Sequence, residues 1–265
     1  MPPSLARALS SPLVTVVPFV TLLSAFLLAL AVYVIRSAVR GRIRTERVMK
    51  QGGSVLLGEY FMEYGYWMFG PVSRALVRWR VHPDVLSWTS LALHAIAALA
   101  IGGGFFGLGS WLLLFGAMCD ALDGTVARAR GLSSDSGEVL DAAIDRVAEM
   151  IVFFGYAYYY RHLPLGFVLC SLACVGAVMV SYSRAKGEAM GIDAKMGLMQ
   201  RHERAAYLVV STLFSSMLTY FWERGVAEPR HYLVLAALGL IALLANVTGV
   251  QRTAFVRAEL RKKGR

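Results

Sequence analysis

The sequence predicts an all-α integral membrane protein: a six-transmembrane-helix bundle, preceded by an interfacial amphipathic helix and one extra N-terminal transmembrane span. Three observations carry this. Hydrophobic residues make up 57% of the 265 positions, above the ~45–50% of soluble domains. They gather into runs long enough to cross a bilayer, with no soluble-sized gap between them. The formal charge of +10 is spread over several short segments between those runs. That is the bias of cytoplasmic loops rather than a single nucleic-acid-binding face. Membrane lipids are therefore expected as partners, and nucleic acid is not.

The elements follow in order. Residues 12–35 form one apolar crossing without an ionisable residue, so this span reads as an anchor. Arg36, Arg40, Arg42, Arg44, Arg47 and Lys50 follow it and only Arg7 precedes, which puts the N-terminus outside. Residues 1–50 are thus an anchor and a basic segment. Residues 51–82 open on a Gly52-Gly53 hinge. Tyr60, Tyr64 and Trp67 then recur at helical spacing before Arg74, Arg78 and Arg80, as in an amphipathic helix lying in the inner headgroup layer. Residues 83–265 form the six-helix domain. Pro83 disfavours helix before it, and Asp84 is the expected N-cap of the first core span, which runs to about Ile101. His94 within it reads as a hydrogen-bonded core histidine. Gly102-Gly103-Gly104 marks an external turn.

The second core span covers about 109–128 and the third about 137–160, where Tyr158, Tyr159 and Tyr160 form an outer aromatic belt. The fourth covers 163–183, followed by a basic internal loop from Arg184 to Arg204. The fifth covers 205–222, then a polar outer loop, and the sixth 232–250, with a basic cytoplasmic tail. Every basic cluster falls inside when the first span starts outside. Cys119, Cys170 and Cys174 lack zinc-ligand or disulfide spacing, and Cys170 and Cys174 read as small packing residues on one helix face. No cleavable signal peptide is expected, because the first apolar run is too long for one.

The acidic stretch from Asp120 to Asp145 stands apart. An acid at mid-membrane costs about 2.5–3.5 kcal/mol on insertion scales, so four need a reason. At about 100° per residue, Asp120, Asp123, Gly124 and Ala127 share one helix face, with Arg128 near its cytoplasmic end. Gly137, Asp141 and Asp145 share a face of the next helix, and the short connection makes the two helices antiparallel. Converging carboxylates repel unless cations sit between them. Magnesium and similar hard ions bind through carboxylates and a substrate phosphate together. The small residues leave room for a ligand near backbone, and an arginine here supplies a bidentate phosphate partner. The stretch therefore reads as a metal-dependent site for a phosphate-containing ligand, open to the cytoplasm.

The spacing D-x2-D-G-x2-A-R-x8-G-x3-D-x3-D is met by Asp120, Asp123, Gly124, Ala127, Arg128, Gly137, Asp141 and Asp145. Chance would produce it with a frequency on the order of 10⁻¹⁰ per start position at average residue usage. It resembles the signature of the CDP-alcohol phosphotransferase (CDP-alcohol phosphatidyltransferase) family, and the likeness extends over about residues 70–250. The resemblance implies six helices around a cytoplasm-facing polar cavity, usually in a homodimer, in a bacterial inner membrane. It implies transfer of a phosphatidyl group from CDP-diacylglycerol to a small alcohol, with release of CMP and dependence on Mg²⁺ or Mn²⁺, two ions in all. By matched position, Asp120, Asp123, Asp141 and Asp145 resemble metal ligands, and Asp145 also resembles the general base. Asp120, Gly124, Ala127, Arg128 and Gly137 resemble contacts to the CDP-linked donor. Asp84 departs from the asparagine many members carry after the proline of the first core helix.

The acceptor is read from the basic loop. Arg184, Lys186, Arg201 and Arg204 flank the membrane mouth on the side of the aspartates, where an acceptor with its own phosphate would need cations. Gly197, Arg201 and Arg204 in a G-x3-R-x2-R pattern, and the run from Asp145 to Glu149, resemble the subgroup that makes phosphatidylinositol phosphate or its ether-lipid counterpart. Inositol phosphate is the expected acceptor, with glycerol 3-phosphate second. Two rival classes are a cation or proton transporter, since intramembrane acids mark such pathways, and a catalytically dead scaffold that keeps the fold. A transporter leaves the fixed Gly, Ala and Arg positions unexplained. Both rivals predict no CMP release.

Overall fold

The computed structural model describes residues 12–41, 59–194, 196–223 and 229–264, and no strand occurs among them. The helices are α1 (Pro12–Arg40), α2 (Glu59–Arg78), α3 (Pro83–Gly102), α4 (Phe106–Ala129), α5 (Asp135–Tyr159), α6 (Pro164–Ala189), α7 (Arg201–Trp222) and α8 (Tyr232–Lys262). A 3₁₀ turn, Tyr160–His162, links α5 to α6. Five helices, α1, α3, α4, α6 and α8, are long and apolar enough to cross a membrane. The protein is therefore an all-helical integral membrane protein. Side chains such as Leu99 (77% exposed) and Leu243 (63%) are apolar yet uncovered, as lipid-facing residues are. The expected basic residues 42–50, the Gly52-Gly53 hinge and Arg7 lie outside the described residues.

Several helices outrun their apolar stretches. The expected basic loop 184–204 is helix at both ends: Arg184 and Lys186 belong to the last turns of α6, and Arg201 and Arg204 to the first turn of α7. α8 likewise runs on to Lys262. Long basic side chains favour helix and reach water from beyond a membrane span, so hydropathy alone marks the ends too early.

The same backbone closure ends four helices. At Gly104, Gly131 and Gly191 the chain turns left-handed (φ 88, 66 and 72). The next residue's N–H returns to the carbonyl five residues back, as in Leu132 to Ala127 at 2.9 Å, the Schellman arrangement that favours glycine. At the end of α2 an arginine, Arg80, takes this place with φ 54. The Arg130 guanidinium holds that corner by donating to the Arg80 and Val81 carbonyls at 2.9 and 2.7 Å. α3 then starts with Pro83 in its first position, and the cap is His82 rather than the expected Asp84. Its Nδ1 accepts the Asp84 N–H at 3.4 Å. Proline suits the first helical position because no intrahelical donor is lost there, and that moves Asp84 into the first turn.

The chain divides into two compact units: Met1–Thr89 with Met118–Asp141, and Ser90–Ala117 with Ala142–Arg265. In the first, the aromatic face of α2 packs on α1. Tyr33, fully buried, meets Tyr60, Tyr64 and Trp67 at 5.3, 5.6 and 5.4 Å between ring centres. The Tyr64 hydroxyl donates to the Phe26 carbonyl at 2.9 Å. The aromatic stripe of the helix expected in the headgroup layer is thus covered by a neighbouring helix, since rings gain from edge-on pairing with other rings.

In the second unit the core joins Ala97, Ile101, Phe106, Val152, Phe153, Tyr156, Cys170, Ala173, Ala177, Leu238, Ile241 and Ala245. Its helices approach closely through small residues. A Cβ on Gly155 would lie 2.6 Å from the Ala98 carbonyl oxygen, and one on Gly176 2.9 Å from the Asn246 backbone nitrogen. His94 is the hydrogen-bonded core residue expected, with Nδ1 2.8 Å from the Ser90 carbonyl oxygen. Of the three tyrosines read as a belt, only Tyr158 is exposed (61%), while Tyr160 is buried. Successive residues are about 100° apart on a helix, so three in a row cannot share one outward face. The Tyr160 hydroxyl donates instead to the Arg230 carbonyl at 3.1 Å, and that of Tyr159 to Pro229.

Candidate active site

Within the first unit, the closing turns of α4 and the opening turns of α5 are joined by the Gly131 turn. Ser134 caps α5, its hydroxyl accepting the Gly137 N–H at 3.2 Å. This hairpin and the start of α3 line a cavity of about 690 Å³ bounded by Asp84, Ser87, Asp123, Gly124, Ala127, Arg128, Gly137 and Asp141, with His82, the 133–136 serine-rich turn and Glu138 at its edge. The volume suits a nucleotide-sized ligand.

Asp120 and Asp141 bring carboxylate oxygens within 4.8 Å of each other. Two oxygens on opposite sides of one magnesium ion lie ~4 Å apart, so this pair needs little adjustment to share a divalent cation. The donors are all hard carboxylate oxygens, without a sulfur or imidazole, and that set fits Mg²⁺ or Mn²⁺ rather than zinc. Asp123 is 6% exposed, and the Ser87 hydroxyl donates to its Oδ2 at 2.7 Å. α5 runs on without interruption to Asp145, one turn beyond Asp141 on the same helix face.

The small residues have local reasons. A Cβ on Gly124 would lie 3.1 Å from Arg128 Nη1, and one on Gly137 3.2 Å from the Ser134 hydroxyl oxygen. Gly124 therefore gives the Arg128 guanidinium room to lie along the helix beside the cavity, and Gly137 gives room to the cap.

In the second unit Asp145 Oδ2 forms an ion pair with Arg201 Nη1 at 2.5 Å. Glu149, one turn further along α5, takes a two-point contact from Arg204, with Nε–Oε1 2.7 Å and Nη2–Oε2 2.9 Å. Arg184 pairs with Glu188 at 2.9 Å within α6. Lys186 sits in the last turn of α6, two residues beyond Arg184. The basic residues expected to meet an acceptor phosphate differ in exposure: Arg204 is wholly buried on a carboxylate, whereas Arg201 is part-exposed beside Asp145.

Sequence reasoning passed over Ser87, Arg130 and Ser134, and used Glu149 only as the end of the 145–149 run. Ser134 had a readable signal, a serine just ahead of an acidic first helical turn. Ser87 had none, because only folding brings α3 to α4.

Residues 80–250 match the sequence profile of the CDP-alcohol phosphatidyltransferase family. The phosphatidylinositol phosphate synthase of Cutibacterium acnes is 31% identical over 197 residues, covering 72% of this chain and 92% of that one. The enzyme of the same name from Mycobacteroides abscessus is 34% identical over 194 residues, 71% and 82% of the two chains. The crystal structure of Mycobacterium tuberculosis phosphatidylinositol phosphate synthase with CDP-DAG bound superposes with a TM-score of 0.59 at 28% identity, covering 70% of this chain and 92% of that one. A second structure of that enzyme, with manganese and citrate, gives 0.59 and 28%, covering 70% and 87%.

Proposed function

This chain belongs to the CDP-alcohol phosphatidyltransferase family, and we propose on that ground that it transfers the phosphatidyl group of CDP-diacylglycerol to a hydroxyl of inositol phosphate, releasing CMP. It is a transferase of substituted phosphate groups that uses magnesium or manganese. The observation that carries the reading is the carboxylate- and arginine-lined cavity formed by Asp123, Gly124, Ala127, Arg128, Gly137 and Asp141 of the motif. The likeness to phosphatidylinositol phosphate synthases supports the acceptor, and a transporter would not account for that likeness.

Asp120, Asp123, Asp141 and Asp145 hold the metal, as two ions. When bound, a divalent cation neutralises the diphosphate oxygens and so eases in-line displacement at phosphorus. Arg128 pairs with the diphosphate, and Gly124, Ala127 and Gly137 line the nucleotide side, with Asp120 bordering the donor. Asp145 accepts the proton of the acceptor hydroxyl as its oxygen attacks the phosphorus that carries the diacylglycerol. The bond from that phosphorus to the bridging oxygen breaks, and CMP leaves. Arg201 meets the acceptor phosphate, and Arg184 and Lys186 draw it towards the mouth.

All of α3–α8 cross the membrane in this reading, including α5 and α7, whose charged first turns lie beyond the apolar core. α1 adds a crossing with the N-terminus outside. The site then faces the cytoplasm of a bacterial inner membrane, as does the C-terminus, and two copies form a homodimer. Arg36 and Arg40 at the end of α1 support the orientation.

The test is CMP release by the purified protein from CDP-diacylglycerol with Mg²⁺ or Mn²⁺ and a panel of acceptors. Inositol phosphate is expected to give the highest kcat/KM, and EDTA to abolish the signal. Preference for glycerol 3-phosphate or free inositol would overturn the acceptor, and the absence of CMP with every acceptor would overturn the reaction.

A further inference from the structure

Two arginines at the start of α7 face two carboxylates on α5. Arg201 and Arg204 are three residues apart, Asp145 and Glu149 four, so each pair shares a helix face. The resulting rungs differ. Arg204 is 0% exposed and turns its donors inward: Nε and Nη2 to the Glu149 carboxylate at 2.7 and 2.9 Å, Nη1 to the Met199 carbonyl at 3.1 Å. A phosphate could reach it only by displacing a part-buried carboxylate. Arg201, with 39% of its side chain exposed, keeps a face towards solvent while it pairs with Asp145. A reciprocal cap fixes the same turn of α7, with the Gln200 N–H donating to Glu203 Oε2 at 2.8 Å.

We infer that Glu149 and Arg204 are a positioning pair: their buried two-point contact sets the register of α7 against α5 and so places the Arg201 guanidinium at the Asp145 carboxylate. The inference rests on the proposed reading in taking Arg201 as the acceptor-phosphate contact and Asp145 as the base. A buried ion pair adds little net stability over an apolar pair of the same shape, and its best-attested use is to fix register. The two-point geometry of guanidinium on carboxylate fixes angle as well as distance. A one-residue slip of α7 would turn Arg201 by about 100° and separate the group that holds the acceptor phosphate from the one that deprotonates its hydroxyl. Arg204 thereby leaves the set of residues that touch substrate, and Glu149 joins the set that shapes the site.

The experiment uses the full chain in detergent, with Glu149→Gln and Arg204→Lys, each of which retains hydrogen bonding. KM for inositol phosphate, KM for CDP-diacylglycerol, kcat and the thermal midpoint are measured. In parallel, the distance between spin labels on Val147→Cys in α5 and Val210→Cys in α7 is read in both backgrounds. The acceptor KM is expected to rise about tenfold, within the usual range for coupled neighbours, with donor KM unchanged and the label distance shifted or broadened. A lower thermal midpoint with unchanged acceptor KM and label distance would overturn the inference. So would an acceptor KM raised by Arg204→Lys but not by Glu149→Gln, because Arg204 would then touch the acceptor itself. If the unaltered chain makes no CMP, the proposed reaction fails, and the label distance alone decides the register.

Discussion

The Ser87 hydroxyl donates to Asp123 Oδ2 at 2.7 Å, and both residues are buried, at 6% exposure each. A hydrogen bond to the second oxygen of a metal-binding carboxylate fixes its plane, and loss of such a partner costs about 10–100-fold in metal affinity. Ser87→Ala should therefore weaken Mn²⁺ binding by about that factor, as read by titration calorimetry or by the resonance of free Mn²⁺. Ser87→Thr should hold the affinity near normal. Unchanged affinity in Ser87→Ala would separate the serine from the metal site.

Asp145→Asn keeps the shape of the side chain and removes its basicity. Positioned general bases contribute about 10²–10⁴-fold, so CMP release at saturating substrates should fall by about that factor. Arg201→Ala should act chiefly on the KM of a phosphorylated acceptor. Near-normal turnover in Asp145→Asn would move the base elsewhere.

Close helix contacts make a sharper stability prediction than the burial of large side chains. A Cβ on Gly155 meets the Ala98 backbone, with the carbonyl oxygen at 2.6 Å and Cα at 2.7 Å. No flexible side chain there can yield. Gly155→Ala should cost about 1–3 kcal/mol, as overpacking does, and lower the thermal midpoint. Gly65 in α2 has nothing within 4 Å of a built Cβ, and Gly65→Ala should stabilise by about 0.4–1 kcal/mol through the unfolded chain. Equal midpoints for the two variants would contradict both expectations.

His231 gives a pH dependence. It lies just outside α8, stacks on Phe106 at 3.6 Å, and has Nδ1 3.0 Å from the Ser215 hydroxyl oxygen and 3.1 Å from that of Thr219. Burial pushes its pKa down from 6.5 to about 3, so the folded protein holds a neutral ring while the unfolded chain protonates near 6.5. Its contribution to stability is complete above pH 6.5 and declines as pH falls from there towards 3. The thermal midpoint should drop across that interval, and His231→Gln should flatten this part of the profile. A midpoint equally steep in the variant would assign the drop to other groups.

How far the sequence could be read followed from the range of the interactions involved. The motif residues sit on two helices joined by a short turn, so spacing alone placed Asp120, Asp123 and Asp141 at one end of a hairpin. The glycine turn at 102–104 and the core role of His94 were equally local. Other features needed neighbours distant in sequence. Tyr60, Tyr64 and Trp67 show the same periodicity whether they face lipid or the rings of α1. Arg204 carries the same charge whether it awaits a phosphate or lies against Glu149. Arg80, in the left-handed position usual for glycine, is intelligible only with Arg130 in place.

That last arrangement bears on the order in which the protein is made. The carbonyls of Arg80 and Val81 wait for a guanidinium borne 50 and 49 positions later in the chain. The corner that leads from α2 into α3 therefore cannot be fixed while α3 is being inserted. It is secured only once α4 has been synthesised and its final turn has returned to the same side of the bilayer. A ribosome stalled before residue 130 would leave a membrane-inserted chain in which the cavity wall at the start of α3 has no fixed shape, so completion of the motif helix and completion of the wall opposite it are one event.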